Sequence, residues 1–427
     1  MTDNWIVRKY KKKAAKLARK RDRLAEQLFL YLSKRGNAKS VVRKAPVLLN
    51  RLASGRMFLP LESYESVGQH VAILASATPY VSVAPDADTD TSSMYQGTLP
   101  DICARRVHNA TVCGISSAIM ADNRLAVPPL YTEHAHMQVS DNRFLLRHAA
   151  GLAEVLESRT EAVHSGIGVF GAGATNWYHW LIEILPAAFL AESLPKQYLG
   201  FPLLVPEHVR SITTFGDALQ LFAGDRSVVL LSNETLTRVD NLVFIDPPVR
   251  GPMNMQAGYW PSPKDYSQHD VVLRAFRKAM IDRLGLAETK PTRRLFLARS
   301  NALRSYNQDD LIAIAADRGF EVVFPETMTF REQVETYLQS EFLIGPSGAA
   351  FANTLFCQPG TRALTWILPQ YSGFCAYSNL ARVVGIDLRY LFVSPTSTIG
   401  STHDAYKASY NLDAGAFGAR VDLMLGH

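Results

Sequence analysis

The sequence predicts an α/β protein with a parallel, Rossmann-like sheet in its C-terminal half, a second α/β domain before it and a basic helix at the N-terminus. Strand-like and helical patterns alternate regularly from about residue 290, and a less regular alternation spans residues 166–245. Such alternation is typical of parallel sheets with crossover helices. Because 427 residues are long for one hydrophobic core, we expect two domains with appendages.

The charge of the chain is unevenly distributed. Residues 1–44 contain 15 Lys and Arg against 3 Asp and Glu, a formal charge of +12, whereas the whole chain carries +6, so the remainder carries −6. An acidic body argues against nucleic acid as a partner. Partners of the basic segment are therefore a separate question from ligands of the body.

The basic segment predicts an amphipathic helix over residues 7 to about 34. Its apolar positions recur at spacings of three and four, with Gly36 and Asn37 after its end; they are Tyr10, Ala14, Leu17, Leu24, Leu28 and Tyr31. Such a helix can lie on an anionic membrane surface or pair with another helix, and it can equally be a solvated helix that covers part of the body. All three alternatives remain open from the sequence.

Cysteine content and apolar runs bear on the compartment. The cysteines form no C-x-x-C pair and have no zinc-type spacing with histidine; they are Cys103, Cys113, Cys357 and Cys375. No secretory signal and no run of 18 apolar residues is present. We expect a cytoplasmic protein, and peripheral association with the inner face of the cytoplasmic membrane stays open as an alternative.

The predicted organisation has four parts. Residues 1–45 form the basic helix, residues 46–250 an α/β domain that begins with short strands and loops, residues 251–268 a linker rich in Pro and Gly, and residues 269–427 the Rossmann-like domain and a tail. In the last part, R-L-F-L-A-R, E-V-V-F, F-L-I-G and A-L-T-W-I-L are the expected strands. Capping residues also predict helix starts, namely Asn307 with Asp310 and Thr329 with Glu332.

The first candidate site is the stretch N-W-Y-H-W-L-I-E, residues 176–183. On a helix, Asn176, His179 and Glu183 lie at spacings of three and four, so their side chains point to one side. A histidine and a carboxylate in apolar surroundings are costly unless they are paired or used in chemistry. A general base that takes a proton from a hydroxyl is the functional interpretation; a purely structural His–Glu pair has about equal weight.

The second candidate site lies at the carboxyl ends of two C-terminal strands, where ligands of parallel sheets bind. Arg299 and Arg304 follow one strand, and the loop Gly345 to Ala350, with Ser347, Gly348 and Ala349, joins the next strand to a helix. Guanidinium groups and free N–H groups at a helix start suit phosphate oxygens. Together they predict a diphosphate site without metal, although surface arginines and glycine turns are individually common.

A metal site is the weaker alternative. His179 and Glu183 supply two ligands at most, and no second H-x-x-x-E or H-E-x-x-H completes a set. A metal hydrolase is therefore disfavoured.

Four motifs in this order resemble the family 61 glycosyltransferases, a group once described only as a domain of unknown function. They are N-W-Y-H-W-L-I-E-I-L-P at 176–186, R-R-L-F-L-A-R-S-N-A-L-R at 293–304, F-P-E-T-M-T-F-R-E-Q-V at 324–334, and I-G-P-S-G-A-A-F-A-N-T-L-F-C-Q-P-G-T at 344–361. The resemblance covers roughly residues 100 to 395. It implies a GT-B fold, an inverting mechanism, a nucleotide-sugar donor with a UDP-sugar as first candidate, and no required metal or other cofactor.

Within this resemblance, the family's residues fall on particular positions of this chain. The acidic base corresponds to Glu183, with His179 orienting either this base or the acceptor, and the arginine of the donor domain corresponds to Arg299. The remaining matches are Glu332, Gln333 and Asn353. Many relatives have His-Gly-Ala where this chain has Ser347-Gly348-Ala349, and a serine cannot bring the positive charge of a histidine to a phosphate.

The sequence thus supports two hypotheses. The first is an inverting glycosyltransferase that uses a glycan or lipid-linked acceptor, of the kind that acts in bacterial capsular or exopolysaccharide synthesis. The second is a non-catalytic member that binds a nucleotide sugar or glycan and organises an assembly complex; Ser347 is its best support.

Overall fold

The architecture is taken from a computed structural model of the full chain. The structure describes residues 16, 20, 22–34, 55–85, 93–133, 137–138, 144–149, 151–157, 160–255, 258–300, 304–400 and 402–426. Most of the predicted segment 1–45, including the apolar positions Tyr10, Ala14 and Leu17, lies outside these residues.

The described chain alternates between strands and short helices. The strands are β1 (Arg56–Ser63), β2 (Gln69–Ala75), β3 (Thr78–Val83), β4 (Met94–Leu99), β5 (Ile102–Val112), β6 (Ile119–Ala121), β7 (Arg124–Val127), β8 (Met137–Gln138), β9 (Leu145–Ala149), β10 (Leu152–Leu156), β11 (Thr160–Gly168), β12 (Leu203–Pro206), β13 (Val228–Leu231), β14 (Leu236–Ile245), β15 (Val249–Arg250), β16 (Asn254–Met255), β17 (Ser267–Gln268), β18 (Arg293–Leu297), β19 (Glu321–Val323), β20 (Ser340–Pro346), β21 (Arg362–Ile367) and β22 (Asp387–Phe392). The α-helices are Pro129–Glu133, Pro186–Leu190, Thr213–Ala223, Asp270–Arg283, Gln308–Ala316, Phe330–Leu338, Ala376–Val384, Thr402–Lys407 and Ala414–Leu425.

The larger sheet is mixed and has eleven strands in the described part of the chain, in the order β13-β12-β11-β14-β5-β6-β7-β1-β10-β9, with β2 paired to β5. Strands β13, β12, β11 and β14 run parallel to their neighbours, whereas β5 is antiparallel to β14. The parallel group therefore has the order 3-2-1-4. Its connections reverse direction between β11 and β14, which is the switch point where ligands bind in open α/β sheets.

The smaller sheet is parallel throughout, with the order β19-β18-β20-β21-β22. This is the 2-1-3-4-5 order of a doubly wound sheet, and its switch point lies between β18 and β20. The prediction of a parallel, Rossmann-like sheet after residue 290 is thus confirmed. The described fold as a whole is mixed α/β, as expected.

Two predicted helix caps have different outcomes. Thr329 and Glu332 form a capping box: Thr329 Oγ1 accepts from the Glu332 backbone N–H, and Glu332 Oε2 accepts from the backbone N–H and the hydroxyl of Thr329. The predicted side-chain cap by Asn307 is wrong, because its amide instead bonds both backbone groups of Leu412 in the C-terminal tail. Tertiary contact overrode the local preference.

The N-terminal helix, described over residues 22–33, packs on the body of the protein. Ala25, Phe29 and Leu32 are buried against residues of β1 and β10. Two predicted stripe positions, Leu24 and Tyr31, are each 54% exposed. The prediction is therefore confirmed for Leu28, which is partly buried against this cluster, and wrong for Leu24 and Tyr31, because the buried face runs through Ala25, Phe29 and Leu32. One of the alternatives, a helix that covers part of the body, holds for this segment.

The two sheets share one hydrophobic core. Phe276 of the helix Asp270–Arg283 contacts Phe189 and Phe222 of the first half with ring centroids 5.8 Å and 5.2 Å apart, and residues of β11, β14, β18 and β20 belong to the same buried cluster. The predicted boundaries at 46–250, 251–268 and 269–427 remain predictions. In the predicted linker, β17 pairs with β15.

Candidate active site

The His179–Glu183 pair lies on a wide helical turn. Residues His179–Ile184 are π-helical, and Pro186 then starts an α-helix because its ring sets the backbone for a first helical turn. Single π-turns inside helices often occur at functional sites. His179 Nδ1 donates to Glu183 Oε2 at 2.7 Å. Burial by itself lowers the pKa of His179, but the charge and the hydrogen bond of Glu183 outweigh it, so that pKa is raised.

The second carboxylate oxygen of Glu183 points away from this pair. Oε1 has no hydrogen-bond partner among the described residues, and a Cβ added to Gly251 would lie 3.9 Å from it. Gly173, at φ +76°, packs on the other member, since a Cβ there would lie 2.7 Å from His179 Cδ2. Gly173 thus packs directly against the imidazole, while the side chain of Glu183 stays 17% exposed.

Asn176 does not join the pair. Its Oδ1 accepts a hydrogen bond from the backbone N–H of Tyr178 at 2.9 Å, and its backbone carbonyl accepts from Trp180. The prediction that Asn176, His179 and Glu183 point the same way is therefore wrong for Asn176. The helical segment begins after Asn176, which satisfies a free N–H of its first turn, as short polar residues commonly do.

A cavity of about 70 Å³ opens beside Glu183. Its walls come from the carboxyl ends of β11 and β14, from the π-turn and from the start of the predicted linker. The lining residues used below are Phe170, Glu183, Phe244, Arg250 and Met253. The cavity thus occupies the switch point of the parallel group in the larger sheet, the place where such sheets bind ligands.

The second candidate site forms at the switch point of the smaller sheet. Arg299 Nη2 donates to the carbonyl oxygen of Ser347 at 2.6 Å. A Cβ added to Gly348 would lie 2.9 Å from Arg299 Nη2 and 3.6 Å from Arg304 Nη2, so both guanidinium groups approach the same glycine. Gly348 is followed by the 3₁₀-helix Ala349–Phe356. Structure and prediction agree in bringing the two arginines to this loop.

The guanidinium of Arg299 is largely buried and lies close to that of Arg304. Burial lowers the pKa of its guanidinium, and the charge of Arg304 lowers it further. Two positive charges this close repel each other, and an anion bound between them would relieve the repulsion. A diphosphate has the charge and the oxygens for that position.

Residues that the sequence analysis did not select support Arg299. Gln308 accepts from its backbone N–H at 2.8 Å and donates to its carbonyl at 3.0 Å, and the Tyr306 hydroxyl also donates to Gln308 at 2.8 Å. The Tyr306 ring stacks on Tyr410 at 5.7 Å. The Tyr410 ring comes from the C-terminal tail, so sequence spacing offered no signal for it.

Other predicted donor residues make contacts within the fold. Gly345 is buried in β20, where a Cβ would lie 2.6 Å from Leu297 Cβ. Glu332 is committed to its capping box. Asn353 is buried and donates to Gln333 at 2.7 Å, while Gln333 donates to backbone carbonyls. Of the predicted set, Arg299, Arg304, Ser347, Gly348 and Ala349 therefore remain at the loop.

Asn353 connects the two candidate sites. Its Oδ1 accepts from Trp177 Nε1 at 2.7 Å, and Trp177 lies two residues before the π-helical segment His179–Ile184. A second connection runs through Tyr178, whose ring contacts Tyr377 at 5.6 Å. The pKa of Tyr178 is raised well above its ordinary value by burial and by the charge of Glu183. These contacts fix the motif around Glu183 against the half that holds Arg299.

The comparison with protein families covers both sites. Residues 177–364 match the model of the family Glycosyltransferase 61. This glycosyltransferase 61 region contains His179, Glu183, Arg299, Arg304 and Ser347, and it supports a glycosyltransferase role with a sugar donor and an acceptor in general. No curated protein matches the chain. Among the described residues, no group of three or more His, Cys, Asp or Glu side chains could hold a metal ion.

Proposed function

We propose that this glycosyltransferase moves a sugar from a nucleotide-sugar donor to the hydroxyl of a glycan or lipid-linked acceptor by direct displacement, with inversion at the anomeric carbon. The observation that supports it best is the pairing of an accessible carboxylate at one switch point with two guanidinium groups at the other. Glu183 is the proposed base. Arg299 and Arg304 are the proposed diphosphate ligands.

In the proposed mechanism, the acceptor hydroxyl binds at Glu183 Oε1, while Oε2 is held by His179. The carboxylate takes the hydroxyl proton as the oxygen attacks the anomeric carbon. His179 keeps the carboxylate in one orientation, so little reorganisation is needed. The bond from the anomeric carbon to the nucleoside diphosphate breaks at the same time.

The departing diphosphate gains negative charge, which Arg299 and Arg304 neutralise. Free backbone N–H groups at the start of Ala349–Phe356 add hydrogen bonds to its oxygens. Because the guanidinium groups supply the charge, we propose that no metal is required. Ser347 replaces the histidine of many relatives, but its backbone carbonyl positions Arg299.

The remaining parts of the proposal concern context. A GT-B arrangement of the two halves, a UDP-sugar donor and a role in bacterial capsular or exopolysaccharide synthesis accord with the family match, and we retain them as proposals. The basic N-terminal segment would hold the protein at an anionic membrane surface, cytoplasmic or peripheral, near a lipid-linked acceptor. Its exposed Leu24 and Tyr31 are compatible with this, and no described helix is long and apolar enough to span a bilayer.

A non-catalytic, donor-binding member is the rival. The accessible Glu183 Oε1 argues against it, because a binding module has no use for a carboxylate held open beside a cavity.

The proposal is tested first by a donor screen that measures the shift in melting temperature. UDP-, GDP-, CMP- and dTDP-sugars are added without metal to the wild type, to Arg299→Ala and to the control Arg238→Ala, an exposed arginine of β14. We expect one nucleotide to stabilise the wild type and the control but not Arg299→Ala. Equal stabilisation of all three proteins would contradict the assigned donor site.

A further inference from the structure

Arg250 is a charged residue at the candidate site with no assigned use. It ends β15 and lines the same cavity as Glu183. Its Nε is buried without a hydrogen-bond partner, and no hydrogen bond or ion pair is found for its guanidinium among the described residues. Most other partly buried arginines described here have a carboxylate or carbonyl partner for at least part of the guanidinium, for example Arg105 with Asp246 at 3.1 Å, although Nε also lacks a partner in Arg106, Arg277 and Arg382. A buried N–H without a partner is costly.

Glu183 does not serve as that partner. Its Oε2 is bonded to His179, and no ion pair joins it to Arg250 in the described structure. The cavity therefore carries a carboxylate and a guanidinium that do not neutralise each other. Because both side chains line the cavity, a ligand bound there can present a hydroxyl to one and an anion to the other.

The surroundings strengthen such an interaction. Phe170, Phe244 and Met253 line the cavity, and apolar walls lower the local dielectric, which strengthens charge pairing. The charge of Arg250 also acts on Tyr80, a neutral phenol at ordinary pH whose pKa is raised mainly by burial. Local charge thus favours an anionic ligand group at Arg250.

We propose that Arg250 recognises an anionic group on the acceptor, next to the hydroxyl that Glu183 deprotonates. The inference rests on the proposed function, since it assigns the acceptor to the Glu183 side and the donor diphosphate to the Arg299 side. The group is a carboxylate, as in a uronic acid, or a phosphate ester of a sugar. Both offer oxygens that a guanidinium binds in paired fashion.

The test measures glycoside binding by ligand-observed NMR with the full chain. The probes are methyl glucuronoside, its neutral counterpart methyl glucoside, and glucose 1-phosphate, each titrated onto the wild type, Arg250→Gln, Arg250→Lys and the control Arg238→Gln. We expect the wild type and the control to bind an anionic probe about tenfold more tightly than the neutral one. Arg250→Gln should lose this preference and Arg250→Lys should keep part of it.

The response of the two anionic probes identifies the source. A preference for glucuronoside alone indicates a uronic acid acceptor, and one for glucose 1-phosphate alone indicates a phosphate. Equal binding of all three probes to the wild type, or an unchanged preference in Arg250→Gln, would overturn the inference. If a nucleotide sugar still raises the melting temperature of the wild type but not that of Arg299→Ala, the proposed function stands even though the inference fails. If no nucleotide sugar raises the melting temperature of the wild type, the proposed function itself is contradicted.

Discussion

The two parallel groups of strands each have a switch point, and different charged groups lie at the two places. In the larger sheet, the segments that follow β11 and β14 line a cavity that holds a carboxylate, and one oxygen of this carboxylate has no hydrogen-bond partner among the described residues. In the smaller sheet, the segments that follow β18 and β20 bring together two guanidinium groups, one of which donates to a backbone carbonyl. The comparison teaches that the two sites carry opposite charge, as the proposed function requires: one accepts a proton and the other holds negative charge.

The largest effect is expected at the carboxylate. Glu183→Gln keeps the shape and the contact with His179 but removes the basic oxygen. We expect kcat of sugar transfer to fall by about 10²–10⁴-fold, the usual contribution of a general base, with donor affinity unchanged. Transfer kinetics and calorimetry check both quantities. Asp217→Asn, on an exposed position of Thr213–Ala223, is the control, and a fully active Glu183→Gln would remove the base assignment.

At the guanidinium site, substitutions should weaken the binding of the donor rather than slow the chemical step. Arg299→Ala is expected to weaken donor binding by about 10–150-fold, because a charged hydrogen bond contributes about 1.5–3 kcal/mol. Arg304→Ala should follow in the same direction. Calorimetric titration of the nucleotide gives the dissociation constants, and unchanged affinity in Arg299→Ala would show that the diphosphate lies elsewhere.

The hydrogen bond between Trp177 and Asn353, which connects the two sites, can be tested by measuring the free energy of unfolding. Trp177→Phe retains ring contacts with Phe215 and Phe330 but leaves Asn353 Oδ1 without its donor. An unsatisfied buried acceptor costs about 1–3 kcal/mol of unfolding free energy. Denaturant unfolding measures the loss, and a double-mutant cycle with Asn353→Ala should show coupling. Additive effects would mean that the hydrogen bond contributes nothing to joining the two halves.

The smallest expected effects are on the pH dependence of protein stability, and they differ between two histidines. The pKa of His148 is lowered to about 4 by burial, so the unfolded chain binds more protons between pH 6.5 and 4, and stability falls as the pH drops through that window. The pKa of His179 is raised, so its contribution is complete below pH 6.5 and is lost as the pH rises through the folded-state pKa. We therefore expect the stability-versus-pH curve to flatten on the acidic side in His148→Gln and above pH 6.5 in His179→Gln; the same change in both variants would contradict these assignments.

Much of the fold follows from local patterns. The strands after residue 290 and the capping box of Thr329 depend on residues close in sequence, so periodicity predicts them. Asn307 fails as a side-chain cap because Leu412 competes from a distant tail. The N-terminal stripe is displaced for the same reason: only contact with β1 and β10 decides that Phe29 is buried rather than Leu24.

The candidate site likewise combines contacts that the sequence predicts with contacts that it does not. Arg299 and Gly348 could be brought together from the sequence, because each follows a strand and parallel strands end at one edge. The cavity around Glu183 could not, since β14 adds Phe244 and the following segment adds Arg250 from about 60 residues away. Asn353 and Gln333 fit the family pattern, yet they bond to each other, and Asn353 also accepts from Trp177, which no spacing rule reveals.

The central claim is that the donor diphosphate binds at Arg299 and the acceptor at Glu183. Its most direct test is a crystal structure with the nucleoside diphosphate identified in the donor screen. We predict phosphate oxygens about 3 Å from the guanidinium groups of Arg299 and Arg304 and from the backbone N–H of Gly348, with Glu183 and its cavity left open for the acceptor. A nucleotide whose phosphates bind Arg250 beside Glu183, with Arg299 untouched, would contradict the account.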